Sequence, residues 1–250
     1  MSLERLDKRL ASTGRWSRRE VKELIRQGRV LVDGVPAARP EDKVGEESAV
    51  LVDGRAVDCS PFVYLMLYKP AGLLSATEDP RQKTVLDLLP RHLRRRGLFP
   101  VGRLDKDTTG LLLLTDDGAL AHDLLSPKKH VDKVYWARVD GRVDEEDRAA
   151  LAAGLVLGDG LRCLPARLDP LGDGSECRIT LREGKYHQVK RMLAARGKPV
   201  LELKRLSMGS LRLDEALAPG QWRELTAFEL AQLKRPAGSS KEFGRNEQKI

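Results

Sequence analysis

Asp105 stands in the run Val101-Gly102-Arg103-Leu104-Asp105-Lys106-Asp107-Thr108-Thr109-Gly110, directly ahead of Leu111-Leu112-Leu113-Leu114. A buried strand needs no such polar prelude. A carboxylate fixed for nucleophilic or acid–base work does. Asp105-Lys106-Asp107 also fits a D-x-D metal site, although that pattern is short and common, and Asp107 reads more simply as a turn residue. The structural alternative is a strand-end carboxylate paired with Arg103 or a distant Lys. The four histidines, at 92, 122, 130 and 187, have no zinc-ligand spacing among themselves or with Cys59, Cys163 and Cys177. There is no Gly-x-Ser-x-Gly elbow, and residues 97–103 lack the Lys-Ser/Thr of a phosphate loop.

Two further segments carry chemistry-bearing side chains. Lys133-Val134-Tyr135-Trp136-Ala137-Arg138-Val139 alternates as a strand does, so Lys133, Tyr135 and Ala137 share one face and Val134 and Trp136 the other. Gly184-Lys185-Tyr186-His187-Gln188-Val189-Lys190-Arg191-Met192-Leu193 reads as the start of a cationic amphipathic helix with Val189, Met192 and Leu193 inward.

The elements that must position these groups follow from local pattern. Residues 63–68 form a buried strand stopped at Lys69-Pro70-Ala71-Gly72, and residues 111–114 form another. A short helix over 119–125 can be capped by Asp116 or Asp117. Residues 145–153 form a helix closed by Gly154, residues 177–181 a strand, and residues 187–195 a helix ending before Gly197. Strands outnumber the helices available as crossovers, so the expected fold is α+β, its sheet mixed and mainly antiparallel with flanking helices.

The first 58 residues read as a separate small domain of helices and short strands. Ser17-Arg18-Arg19-Glu20 has capping-box spacing, and Val21, Leu24 and Ile25 form the apolar face of the helix it opens. Arg18, Lys22, Arg26 and Arg29 fall within an arc of roughly 80° beside that face at 100° per residue. The helix runs into Val30-Leu31-Val32-Asp33-Gly34, a strand with a turn signal. Residues 59–61 form the expected linker, 62–235 the large domain, and 236–250 a polar, disordered tail.

At 250 residues there is ample core for both domains. The net charge is +8, and residues 5–29 hold nine Lys and Arg against three Asp and Glu, which suits a polyanionic partner. Aromatic residues make up only 4%, so recognition by backbone charge and shape fits better than a stacking platform. No apolar run reaches 18 residues, and the N-terminus lacks a secretory core, so no membrane association and a cytoplasmic location are expected. An odd number of well-separated cysteines argues against a disulfide framework.

Residues 101–110 closely resemble the catalytic motif of pseudouridine synthases. Tyr68-Lys69-Pro70-Ala71-Gly72, Lys133-Val134-Tyr135, residues 184–192 and Leu203-Lys204-Arg205 resemble its other motifs, in the family's order. The first 58 residues resemble an S4 RNA-binding domain, and the whole is most similar to RsuA-type ribosomal RNA pseudouridine synthases. The resemblance implies isomerisation of one uridine in ribosomal RNA, 16S above 23S, without cofactor or metal, by a monomer. A non-catalytic S4-containing assembly factor is the alternative. Asp105 takes the nucleophile's position, Tyr135 packs on the base, and Lys190 is the cation that holds Asp105 ionised. Arg103 holds the opened RNA site, and Lys185, Arg191 and Arg205 are phosphate contacts. In the S4 domain, Arg5, Arg15, Arg18, Arg19, Lys22, Arg26 and Arg29 grip RNA.

Overall fold

The computed structural model describes residues 3–126 and 129–235, so the expected tail at 236–250 lies outside the described residues. Two compact units emerge, Met1–Val63 with Leu86–Phe99, and Tyr64–Val85 with the chain from Pro100 onward.

The first unit contains β1 (Leu3–Arg5), α1 (Leu6–Ser12), α2 (Arg18–Arg26), β2 (Val30–Val32), β3 (Val35–Pro36), β4 (Lys43–Gly45), β5 (Val50–Val52), β6 (Arg55–Ala56) and, later in the chain, α3 (Arg91–Arg94). The expected capping box opens α2: Glu20 N donates to Ser17 Oγ at 3.2 Å and Ser17 N donates to Glu20 Oε2 at 2.6 Å. Leu6 and Leu10 of α1 and Val21, Leu24 and Ile25 of α2 bury their apolar faces against Val30, Val50 and Val52. Strands β3-β2-β5-β6 form one small sheet, while β1 pairs with β4 in another. Asp33-Gly34 and Asp53-Gly54 both have positive φ throughout, the two-residue hairpin turn that matches strand twist. Arg9 is buried, its guanidinium donating to the carbonyls of Gly45, Glu46 and Ser48.

Residues 59–61, expected as a linker, fall within the first unit. Cys59 packs partly buried against the first core, and the Arg96 guanidinium donates to the carbonyls of Ser60 and Pro61. Gly14, at φ +73°, lies so close to α3 that a Cβ there would stand 2.1 Å from the His92 carbonyl oxygen. Pattern alone could not assign Leu86–Phe99 to the first unit, because its partners are remote in sequence.

The second unit is built on β7 (Tyr64–Lys69), β8 (Phe99–Pro100, where the chain re-enters it), β9 (Thr109–Thr115), β10 (Lys133–Val139), β11 (Arg167–Leu171), β12 (Glu176–Leu181), β13 (Val200–Met208), β14 (Leu211–Arg212) and β15 (Trp222–Glu224). Its helices are α4 (Gly118–Leu125), α5 (Glu145–Ala153), α6 (Gln188–Ala194) and α7 (Ala227–Leu233). The sheet runs β11-β12-β10-β13-β9-β7-β15, with β14 hydrogen-bonded to β13. Along that path only β9 and β13 pair in parallel, so the sheet is mixed and mainly antiparallel as expected. Leu111, Leu112, Leu113 and Leu114 are fully buried, which explains why β9 is apolar on both faces. Asp117 caps α4 by accepting from Leu120 N at 3.0 Å, and Gly154 ends α5 at φ +82°.

Register fixes one row across this sheet. Lys69 on β7 lies opposite Gly110 on β9, Gly110 pairs with Arg205 on β13, and Arg205 lies opposite Tyr135 on β10. Partners in register share a face, so two cations and the tyrosine stand on one side around a residue without a side chain. On the other side, the Lys204 ammonium sits 5.8 Å from the Tyr68 ring centroid and 5.7 Å from that of Trp136.

Candidate active site

The polar prelude to β9 folds as a tight loop on which Asp105 is held from several directions. Thr108 N donates to the Asp105 carbonyl at 3.1 Å, closing the turn. Ser75 Oγ donates to Leu104 O at 2.9 Å and accepts from Leu104 N at 3.0 Å. Gly72 N donates to Lys106 O at 2.7 Å. Lys69, with no exposed surface, sends its ammonium to three carbonyls: Pro70 at 3.0 Å, Lys106 at 3.2 Å and Thr108 at 2.9 Å. Burial pushes this ammonium down to about 8, against the opposing pull of Asp107 and Asp105.

The Asp105 carboxylate faces α6. Lys190 Nζ lies 3.3 Å from Asp105 Oδ2 and 2.5 Å from Asp107 Oδ1, so one ammonium bridges both carboxylates. The hydrogen bond from Lys190 holds the Asp107 carboxyl below the usual carboxylate range. An ammonium already seated between the pair answers the D-x-D pattern with an ion bridge. His187 Nε2 stands 3.5 Å from Asp105 Oδ1. His187 adopts a left-handed φ of 49°, and its ring stacks on Tyr186 with centroids 3.8 Å apart.

The loop before α6 is braced as well. Gln188, buried, accepts from Lys185 N at 3.0 Å and donates to Glu183. Together the two loops enclose a cleft lined by Arg103, Asp105, Thr108, Tyr135, His187 and Leu203, among others. Tyr135 is 9% exposed and forms part of its wall, its ring presented from β10 on the face that alternation predicted. A carboxylate, a cation, an aromatic wall and an exposed arginine thus meet in one concavity, an arrangement fit to receive an extruded base and act at its sugar.

Of the residues expected at the site, Asp105, Tyr135, Lys190 and Arg103 converge. The others divide. Arg205 is only 2% exposed, and its Nε donates to Leu111 O at 2.8 Å, so the expected phosphate contact is corrected to a buried cation between strands. Arg191 is tied to Asp159 at 2.5 Å, and Lys185 to Glu183 at 3.0 Å. Sequence reading assigned no role to His187, Thr108 or Lys69. The first had a clue in its place within the basic segment; the others require the fold.

In the first unit, Arg5 pairs with Asp7, Arg26 with Glu23, and Arg29 with Asp53. The side chains of Arg15, Arg18, Arg19 and Lys22 are exposed and make no ion pair within 4 Å among the described residues, leaving them open to a polyanion. No described helix is long and apolar enough to cross a membrane.

Residues 63–195 match the RNA pseudouridylate synthase family, and residues 4–51 match the S4 domain. A Bacillus subtilis protein named an uncharacterized RNA pseudouridine synthase is 50% identical over 93% of this chain and 99% of its own length. A ribosomal small subunit pseudouridine synthase A from Pseudomonas aeruginosa is 44% identical, over 90% and 98%. A ribosomal large subunit pseudouridine synthase B from Bacillus subtilis is 38% identical, over 96% and 99%. A crystal structure of a pseudouridylate synthase matches at a TM-score of 0.65 and 36% identity, covering 92% of this chain and 99% of that one.

Proposed function

The chain belongs to the RNA pseudouridylate synthase family, in its RsuA-type branch with an N-terminal S4 domain, and from that premise we propose that it converts one uridine of 16S ribosomal RNA to pseudouridine through Asp105. The observation that carries this reading is Asp105, held at the cleft by Lys190, with Tyr135 on the cleft wall.

In this reading the exposed basic stripe of the S4 domain takes the RNA backbone, and Arg103 holds the opened strand from which the target uridine is extruded. The uracil packs on Tyr135, which supports it without fixing its orientation in plane. Asp105 acts as the nucleophile at the reacting nucleotide, with Lys190 as its counter-charge. The C1′–N1 bond breaks, the uracil turns, and C5 bonds to C1′. N1 gains a proton and C5 loses one, so the reaction is an isomerisation that balances without an oxidant, a reductant or a donated group. The protein works as a monomer in the cytoplasm.

The small-subunit assignment is supported by the Pseudomonas relative, and the 23S reading by the large-subunit relative from Bacillus. Tritium release from 5-tritiated uridine in 16S and 23S transcripts, with EDTA present, separates them. Release from 16S RNA by the wild type, absent in Asp105→Ala, is the expected result. Release from 23S RNA alone overturns the small-subunit assignment. Undiminished release by Asp105→Ala overturns the nucleophile, and no release from free or partly assembled RNA favours a binding factor.

A further inference from the structure

Thr108 is 1% exposed, lines the cleft beside Asp105, and its Oγ1 has no hydrogen-bond partner among the described residues. Its backbone is pinned at both ends, N donating to Asp105 O at 3.1 Å and O accepting from Lys69 Nζ at 2.9 Å. The backbone of the threonine is therefore held in place by groups that leave its hydroxyl unused. A buried hydroxyl left unpaired is unfavourable, and native structures keep few of them. Valine has the same shape without the cost. A threonine here is best explained by a partner that arrives with the substrate.

We propose that the Thr108 hydroxyl, buried in the free cleft, turns about the Cα–Cβ bond as the base enters and donates a hydrogen bond to a ring carbonyl of the uracil, and that it serves the base both before and after it turns. The inference rests on the pseudouridine reading of the site. Exchange of N1 for C5 at the sugar corresponds to a half-turn about the axis through N3 and C6. That half-turn also exchanges the C2 and C4 carbonyls. A donor fixed beside one carbonyl position thus meets a carbonyl oxygen in substrate and in product alike. A group specific for N1 or C5 would favour one end state and resist the turn. Thr108 contributes a hold that is indifferent to the outcome, and Tyr135 contributes a wall on which either face of the ring can pack.

The test compares wild type, Thr108→Val and Thr108→Ser by tritium release from the RNA the wild type modifies, alongside thermal unfolding. Thr108→Val is expected to lower kcat/KM by roughly 10- to 100-fold, the effect of leaving a buried carbonyl unpaired, with Tm unchanged or raised. Thr108→Ser is expected to stay within about threefold of wild type. Thr108→Val turning over like wild type overturns the proposal while leaving the enzyme reading intact. A valine variant that melts several degrees lower also overturns it, since the hydroxyl then serves the fold. Absence of release by the wild type removes the underlying reading and the proposal with it.

Discussion

Gly110 sits between Lys69 and Arg205 in the transverse row, at a φ of +104° that side chains with a Cβ rarely adopt. Changing it to alanine tests how closely β9 and β13 must approach. A Cβ there would lie 2.3 Å from the Arg205 carbonyl oxygen and 2.6 Å from its nitrogen, where ordinary contact begins at 3.4 Å. Both are backbone atoms of a paired strand, so no side chain can swing aside. The strand must yield by about 1.1 Å at that point. Forcing a methyl into packed structure costs about 1–3 kcal/mol, and the disfavoured φ adds about 1–3 more, so a loss of ~2–6 kcal/mol is expected. At about 3 °C per kcal/mol for a domain of this size, Tm falls by roughly 6–18 °C. The displaced strand pairs with β10, which carries Tyr135, while β9 continues from the Asp105 loop. A misplacement of about 1 Å between reacting groups lowers the rate on the order of 100-fold. Gly118, at the first position of α4, has nothing within 4 Å of its Cβ position, so Gly118→Ala should be neutral or slightly stabilising. Urea unfolding and single-turnover tritium release at 20 °C, with folding checked by circular dichroism, compare the two. Gly110→Ala matching Gly118→Ala in both stability and rate would refute the reasoning.

Lys69 gives a pH dependence of defined sign. Its folded value near 8 lies below the ordinary 10.5, so across that window the unfolded chain binds the extra proton and stability rises with pH; below about 8 the cost of burial is felt in full. Wild type should therefore gain up to roughly 3 kcal/mol on Lys69→Met between pH 7.5 and 10.5, and parallel urea curves at all pH values would sink the assignment. In the S4 unit, replacing Arg18, Arg19 and Lys22 with alanine should weaken RNA binding and flatten its dependence on log salt by about one unit per contact removed, with the melting of the protein unchanged. A salt slope equal to that of wild type would show that this face does not meet phosphate.

The legible parts of this molecule were those whose signal is local. The capping box at Ser17 and Glu20, the alternation through Tyr135 and the leucine run of β9 each reflect a period or a cap that the neighbouring residues complete. The Asp105 carboxylate stood out because a polar turn before a fully buried strand has no packing reason. What escaped depends on partners distant in sequence. Arg205 looked like surface charge because β13 mixes Glu202, Lys204 and Arg205 into its pattern, and only pairing with β9 and β10 shows which of them turns inward. Lys69 read as a strand terminator, since lysine is rarely buried, and nothing local announces the three carbonyls that surround its ammonium. Leu86–Phe99 lies within the stretch matched by the synthase family yet joins the first unit, a placement set by contacts such as Arg96 with Ser60 and Pro61.

The seating of β7 between β9 and β15 has a consequence for how the protein is made. Leu65, Met66 and Leu67 leave the ribosome early, but the strand that covers one edge of β7, Trp222–Glu224, is among the last described elements to follow. At translation rates of about 5–20 residues per second, the interval is roughly 10–30 s, long compared with the collapse of a small domain. The S4-bearing unit, complete once Phe99 has emerged, can fold while that strand still waits. The catalytic unit is thus obliged to finish its sheet after synthesis has passed Glu224, and until then a nascent chain carries an apolar strand with an open edge, the feature that holding chaperones and proteases recognise.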